Sequence, residues 1–568
     1  MSKKDNDTQS YYTAFDSQWD VIKRGDAEQF TKVKTNYLKS ATLANIKTQD
    51  NAFKLERKKK FRPRLEQPRS PTGTYSKLFT DISSDKPTLD DATIQTIAEA
   101  ISRMRSAQST RLQPAGYTYL AQFLTHDIVQ STSLLRTRNT SLELNLGSLY
   151  FPFGKANKWG SVNDNGEFVL KNDDTDFYRV EWEPQELRCE GIEIPKSREH
   201  NYYFAVTPEH RNDGNVILSQ LTVLFQRAHN YIVKELINHS NTIKSQKGES
   251  KDLTCYTGED YYNKAREILT LLFQKIVIHD LLKVTLDPDT YDYYFVHQGP
   301  SIFKGLEGQI GVPKEFTHAV SRYAHTMIRS NYNLRENETS INIEELFRKN
   351  SRLASAENNK MKITDWRMFF AKSWQNLPRT NKANKIQLRT SSLPVSESPI
   401  DNKLSADPSI NLATFDIKAS YELPTYSQVM KNKEVQFFFK TVKSIFPDDL
   451  QSSYFDLIEY TDINNNIASL GVDLKFSNEN APFFVSMLLE NKAMPQDHNH
   501  DRLGVIGSIV YAETIRASIK NNNKINMYMK NGDLNRILDW AYPVYQSLAD
   551  SLKPINILEL SKVISTKT

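Results

Sequence analysis

Cysteine is nearly absent from this sequence: two among 568 residues, Cys189 and Cys255. With no CxxC pair and no thiolate cluster, a disulfide framework and a finger-type zinc site are excluded. Glycine is scarce as well, 19 in all, which argues against β-rich or glycine-loop architectures and for helices. No run of about 18 apolar residues occurs, so the sequence offers no transmembrane helix. The start, MSKKDNDTQSYY, has no apolar stretch after its lysines and reads as no signal peptide; the expected location is cytoplasmic or leaderless-secreted. Neither sign of charge dominates. Lys+Arg number 73 against 68 Asp+Glu, a net of +5, which predicts no nucleic-acid partner and no membrane partner. The densest basic run, ERKKKFRPR (Glu56–Arg64), reads as a solvated linker. Missing too are GxxxxGK[ST], GxGxxG after a strand, GxSxG and HExxH, which removes phosphate-loop, dinucleotide, nucleophile-elbow and zincin chemistry.

What is present is an ordinary globular composition, 39% hydrophobic and 11% aromatic, with helical periodicity along most of the chain. The expected fold is mainly α: a polar, loosely structured arm over residues 1–75, then one large helical domain over 76–568 with few short strands. The strands are expected within 150–205. Helices are expected at Asp90–Ser106, through YLAQFLTHDIVQSTS (Tyr119–Ser133), at Asn215–Ile237, Tyr261–Leu286 and Lys314–Ser330, and in the tail at APFFVSMLLE and LGVIGSIVYAETIRASI. QDHNHD (Gln496–Asp501) places His498 and His500 two apart, but in a Pro- and Asn-rich loop it reads as a solvated turn.

Three of the helices carry polar groups on faces that should be buried. Gln122 and His126 lie four apart and share a face. Arg211 stands at the entrance of the Asn215 helix, where its charge needs a partner or an anion. His318, Arg322, His325 and Arg329, at offsets 0, 4, 7 and 11, form one continuous stripe along the Lys314–Ser330 helix. Singly, each histidine reads as a satisfied core residue. Together, two histidines on separate helices and two arginines suit a haem, with one imidazole on the iron and the other as a proton shuttle.

The flanking residues add a resemblance. LAQFLTHDI, HRNDGNVILSQLTVLFQRAHNYIVKEL, YYNKAREILTLLFQKIVIHDLLKVTL and EFTHAVSRYAHTMI follow one another as the conserved blocks of the animal-type haem peroxidases do, the peroxidase–cyclooxygenase superfamily. TFDIKASYELPTY and RLGVIGSIVYAETI are similar to two later blocks. The resemblance implies a peroxidase that reduces hydrogen peroxide and oxidises a small organic or halide substrate through a ferryl intermediate. It implies His126 as distal acid–base, Arg211 as the group polarising the O–O bond, Gln122 as a pocket residue, His325 as axial ligand, Arg322 on a haem propionate, and Asp416 as acceptor of the proximal imidazole proton. Thr125 and Gly214 stand where covalently tethered relatives carry carboxylates, so the haem b should be non-covalent. Asp127 matches a calcium ligand. However, Asn145 and Gly147 replace the family's Asp and Ser in the partner loop, leaving Ser141 as a hydroxyl ligand. The alternative for Asp127 is a carboxylate that caps neighbouring backbone or pairs with an arginine.

The same scaffold serves fatty-acid dioxygenases, which place a radical tyrosine three residues before the proximal histidine. Arg322 holds that position, and Tyr323, one residue on, is turned by about 100° on a helix. A peroxidase is therefore expected over a lipid dioxygenase. A non-catalytic relative is disfavoured by the joint presence of His126, Arg211 and His325.

Overall fold

The structure is a computed structural model. It describes residues 75–568 except 81, 83–88, 103–112, 130–141, 172–173, 183–201, 248–255, 304–310, 337, 349–360, 372–380, 384–415, 443–459, 494–500, 554 and 568. The N-terminal arm up to residue 74, both cysteines, Ser141, His498 and His500 lie outside the described residues.

The chain is mostly helical, as the periodicity predicts. Helix α1 (Asp91–Ser102) turns Ile94, Ile97 and Ile101 into the core. Helix α2 (Gly116–Ile128) is buried almost throughout. Its start is pinned by crowding: a Cβ at Gly116 would stand 2.6 Å from the Phe369 carbonyl oxygen and 2.6 Å from Phe370 Cζ. One residue on, Tyr117 donates its hydroxyl to Asp280 Oδ1 at 2.7 Å. Strands β1 (Arg179–Trp182) and β2 (Tyr202–Ala205) pair antiparallel, with Arg179 opposite Ala205, inside the segment where short strands are expected.

Helix α3 (Val216–Lys247) runs ten residues past its predicted end and packs along α4 (Gly258–Ile276). A capping box opens α4, Thr257 accepting from the Asp260 amide while Asp260 accepts in return. The predicted continuation of α4 to Leu286 is interrupted. Val277–Leu282 takes a π-helical turn before the α geometry resumes at Lys283–Thr285. That bulge carries Asp280 to Tyr117 Oη and to the Ile557 amide.

The larger departure lies in Lys314–Ser330, which is not one helix. Helix α5 (Lys314–His318) stops at Ala319, whose φ is −136° and ψ −68°. Val320–Met327 then runs as a 3-10 helix and Ile328 is extended. The four-residue stripe therefore breaks. Arg329 is exposed, and His318 packs edge-on against Tyr75 with ring centroids 5.3 Å apart. Only Arg322 and His325 keep a common edge. Two tail helices, α6 (Phe483–Ala493) and α7 (Val505–Lys520), pack together and against the 3-10 segment. One contiguous core of apolar side chains joins the helices and the 3-10 segment, while the strand pair packs on smaller clusters around Tyr178 and Phe177. Among the described residues, no helix is long and apolar enough to cross a membrane.

Candidate active site

Helix α2 lays Thr118, Gln122 and His126 along one face, at i, i+4 and i+8. Gln122 is buried, and neither its amide oxygen nor its amide nitrogen has a hydrogen-bond partner; the Thr118 hydroxyl has none either. An orphaned buried amide is costly in a finished protein interior, so such groups imply a ligand or solvent that they serve. His126 ends the stripe. Its Nδ1 lies 2.8 Å from Asn212 Oδ1. Since an amide oxygen only accepts, Nδ1 carries the proton and Nε2 keeps the lone pair. Burial holds the His126 pKa well below the ordinary histidine value, and the Arg211 guanidinium lowers it further.

Arg211 comes from a short 3-10 turn, His210–Asp213, which also carries Asn212. Glu209 caps that turn and grips the arginine. Its Oε1 accepts from the Arg211 amide at 3.0 Å and from Nε at 2.9 Å, and its Oε2 accepts from Nη2 at 2.8 Å. Nη2 also donates to the Val129 carbonyl at the end of α2. This is a buried, two-point ion pair, the geometry in which a guanidinium is held in one orientation. One turn thus delivers both the arginine and the residue that orients His126.

On the other side, the 3-10 segment places Arg322 and His325 three apart, which eclipses them at three residues per turn. Both reach Asp416, which is fully buried on a helical stretch over 416–421. His325 Nδ1 lies 2.8 Å from Asp416 Oδ2, and Arg322 Nη1 donates to Oδ1 at 3.0 Å. Arg322 Nε donates to the Thr317 carbonyl at 3.0 Å. Tyr323 faces away from this cluster. Its hydroxyl is 3.3 Å from Thr285 Oγ1, its ring packs on Tyr511, and burial pushes its phenol up to about 12.

The two histidines, on separate segments, are coupled electrostatically, since His325 also lowers the pKa of His126. Each is tied through Nδ1, to Asn212 and to Asp416 respectively. That donor set, with the orphaned amide of Gln122 and the unpartnered Asn212 Nδ2, fits a haem between them. Thr125, at one tether position, spends its hydroxyl on the Ala121 carbonyl at 2.8 Å. Gly214, at the other, offers no side chain.

Asp127 does not fit calcium. Its two oxygens accept from the amides of Asn145, Leu146 and Ser148 at 3.2, 2.9 and 2.9 Å. Among the described residues, no group of three or more His, Cys, Asp or Glu side chains could hold a metal ion. Three contributors escape the sequence reading: Asn212, Glu209 and Thr118. The one local signal for the first two is their position beside Arg211 in EHRND.

The mainly helical scaffold thus holds two buried, Nδ1-anchored imidazoles. Residues 162–403 match the family model described as animal haem peroxidase. That span includes Arg211, Arg322 and His325. Among solved structures, peroxidase A from Dictyostelium discoideum aligns with a TM-score of 0.54 at 13% identity, covering 88% of this chain and 93% of that one. The fatty acid alpha-dioxygenase of Oryza sativa aligns with a TM-score of 0.50 at 13% identity, covering 97% of each. At such identities the likeness speaks for the fold. No curated protein matches the chain in sequence.

Proposed function

We propose that this chain is a haem-dependent peroxidase that reduces hydrogen peroxide and oxidises a small organic or halide substrate. The observation that carries the reading is the pair of buried imidazoles, each fixed through Nδ1 by its own partner, Asn212 for His126 and Asp416 for His325. His325 Nε2 would bind the iron. Asp416, accepting the Nδ1 proton, makes that imidazole a stronger donor, as partners behind a metal ligand do. Arg322, sharing the same carboxylate, would add positive charge for a propionate. Haem b supplies the redox chemistry when bound. Thr125 and Gly214, in place of tethering carboxylates, favour a haem that acidified solvent extracts.

His126 stays neutral at physiological pH because burial and Arg211 suppress its charging. Its Nε2 is therefore a base that takes the first proton of hydrogen peroxide and returns it to the departing oxygen. Arg211, locked by Glu209, stabilises the negative charge on that oxygen without reorganising.

A fatty-acid dioxygenase on the same scaffold is the competing reading. Arg322 in the position of the radical tyrosine, and Tyr323 turned onto Thr285 and Tyr511, both count against it. Protein reconstituted with hemin should show a Soret band and turn over peroxide with a phenol as reductant. His126→Ala should slow the reaction with peroxide by about 10²–10⁴-fold. Absence of a Soret band would refute the haem reading. Oxygen uptake driven by linoleate, without peroxide turnover, would replace the peroxidase with the dioxygenase.

A further inference from the structure

Asp127 follows the distal histidine directly and is buried. Every contact shown for its carboxylate is a donor. The loop that supplies them is held from two sides: Gln274 of α4 donates to the Leu144 carbonyl at 2.9 Å, and the Leu144 amide donates to Ser518 O of α7 at 2.9 Å. Within it, Leu146 takes a left-handed φ of 57°. That rare conformation lets successive amides converge on one anion. Asn145 Oδ1 accepts from the Gly147 amide at 2.9 Å, which closes the turn. The Asn145 carbonyl accepts from Arg266 Nη2 at 3.3 Å, and the Arg266 guanidinium lies 5.1 Å over the Tyr150 ring. Burial raises the Asp127 carboxyl above the usual range, and the contacts from Ser148 and Leu146 and, last, the Arg266 charge oppose that rise.

Calcium requires oxygen ligands at about 2.3–2.6 Å, whereas here N–H groups occupy the approach to both oxygens. We propose that Asp127 anchors a metal-free clamp, in which three backbone amides and the Arg266 guanidinium replace a bound cation, and that this clamp is the positioning device for His126. By fixing the residue after His126 to a loop braced by α4 and α7, it holds the imidazole at the distance at which Asn212 sets its tautomer. The inference extends beyond the peroxidase reading and is testable on haem-free protein, so failure of one is not failure of the other.

Thermal unfolding of the full chain should be identical in chelator and in millimolar calcium, and protein dialysed against buffer should contain no calcium. A bound equivalent of calcium, or a melting temperature that chelator lowers, would overturn the proposal. Asp127→Asn removes the charge at constant size and should lower the melting temperature by roughly 2–5 °C. It should also shift the His126 ring nitrogens in ¹⁵N spectra towards a tautomer mixture, with the His325 signals unmoved. Arg266→Gln should give the same His126 shift in smaller degree, uncorrected by calcium, and serves where Asp127→Asn does not fold. A loss of stability in either variant without a change at His126 would refute the positioning role.

Discussion

Asn212 is the residue on which the proposed chemistry turns, and Asn212→Leu isolates its contribution. Leucine is close in volume and fully compatible with a buried site, but it accepts no hydrogen bond. The substitution leaves His126 Nδ1–H, buried, without its acceptor at 2.8 Å. An unsatisfied buried donor costs about 1–3 kcal/mol, and the ring escapes that cost by adopting the other tautomer, which protonates Nε2. If the unsatisfied donor places the productive tautomer about 1.5 kcal/mol above the other, its population, and hence the rate of proton abstraction, falls roughly 10-fold. A penalty of about 3 kcal/mol would cost roughly 100-fold. The assay is rapid mixing of reconstituted protein with peroxide, taking the second-order rate constant at neutral pH. The decisive design is a double-mutant cycle with His126→Ala. If Asn212 acts through His126, Asn212→Leu has no further effect in the His126→Ala background. Additive losses, or an unchanged rate in the single variant, would refute the assignment.

Other expectations follow from the same geometry. Asp416→Ala removes the common partner of the buried His325 and the partly buried Arg322, and should cost about 3–5 kcal/mol in urea unfolding; a loss below about 1 kcal/mol would show the cluster to be relaxed. His229 is fully buried, with Nδ1 on Tyr150 Oη and Nε2 on the Gly166 carbonyl, and burial lowers it from 6.5 to about 4. Because the unfolded chain binds the proton first, stability should fall as pH drops from 6.5 towards 4, by about 3 kcal/mol from this group. His229→Gln should flatten that slope in pH-resolved unfolding. Gly116→Ala should destabilise by roughly 1–3 kcal/mol despite alanine's helix propensity, because its Cβ meets the Phe369 carbonyl and the Phe370 ring; a raised melting temperature would contradict this. Tyr323→Phe should leave peroxide turnover unchanged, and its loss would move the radical question back to that phenol.

The sequence made the scaffold legible where periodicity and burial coincide. The helices around Tyr119, Asn215 and Tyr261 follow from apolar residues at helical spacing; their ends shift, by ten residues at Lys247 and at the π-helical turn after Ile276. The break at Ala319 left no such trace. No Gly or Pro stands between Lys314 and Ser330, and the Thr317 carbonyl, which a continuing α-helix would pair with the Ser321 amide, instead accepts from the Arg322 side chain. That is a tertiary choice, invisible to local propensity. The pairing of His126 with Asn212 spans 86 positions, so only the fold joins them. The replacements Asn145 and Gly147 were legible as a depleted calcium loop. Convergence of that loop's amides on Asp127 was not, because it depends on the backbone angle of Leu146.

The 3-10 pitch of Val320–Met327 has one more consequence. At three residues per turn, positions 322 and 325 stand in register over one carboxylate, so whatever occupies 322 shares its counter-ion with His325. A tyrosine there would place its phenol proton in contact with Asp416, in competition with the imidazole for the same base. On this geometry a tyrosine at 322 is no matter of one side chain, because it would call for a different residue at 416 as well.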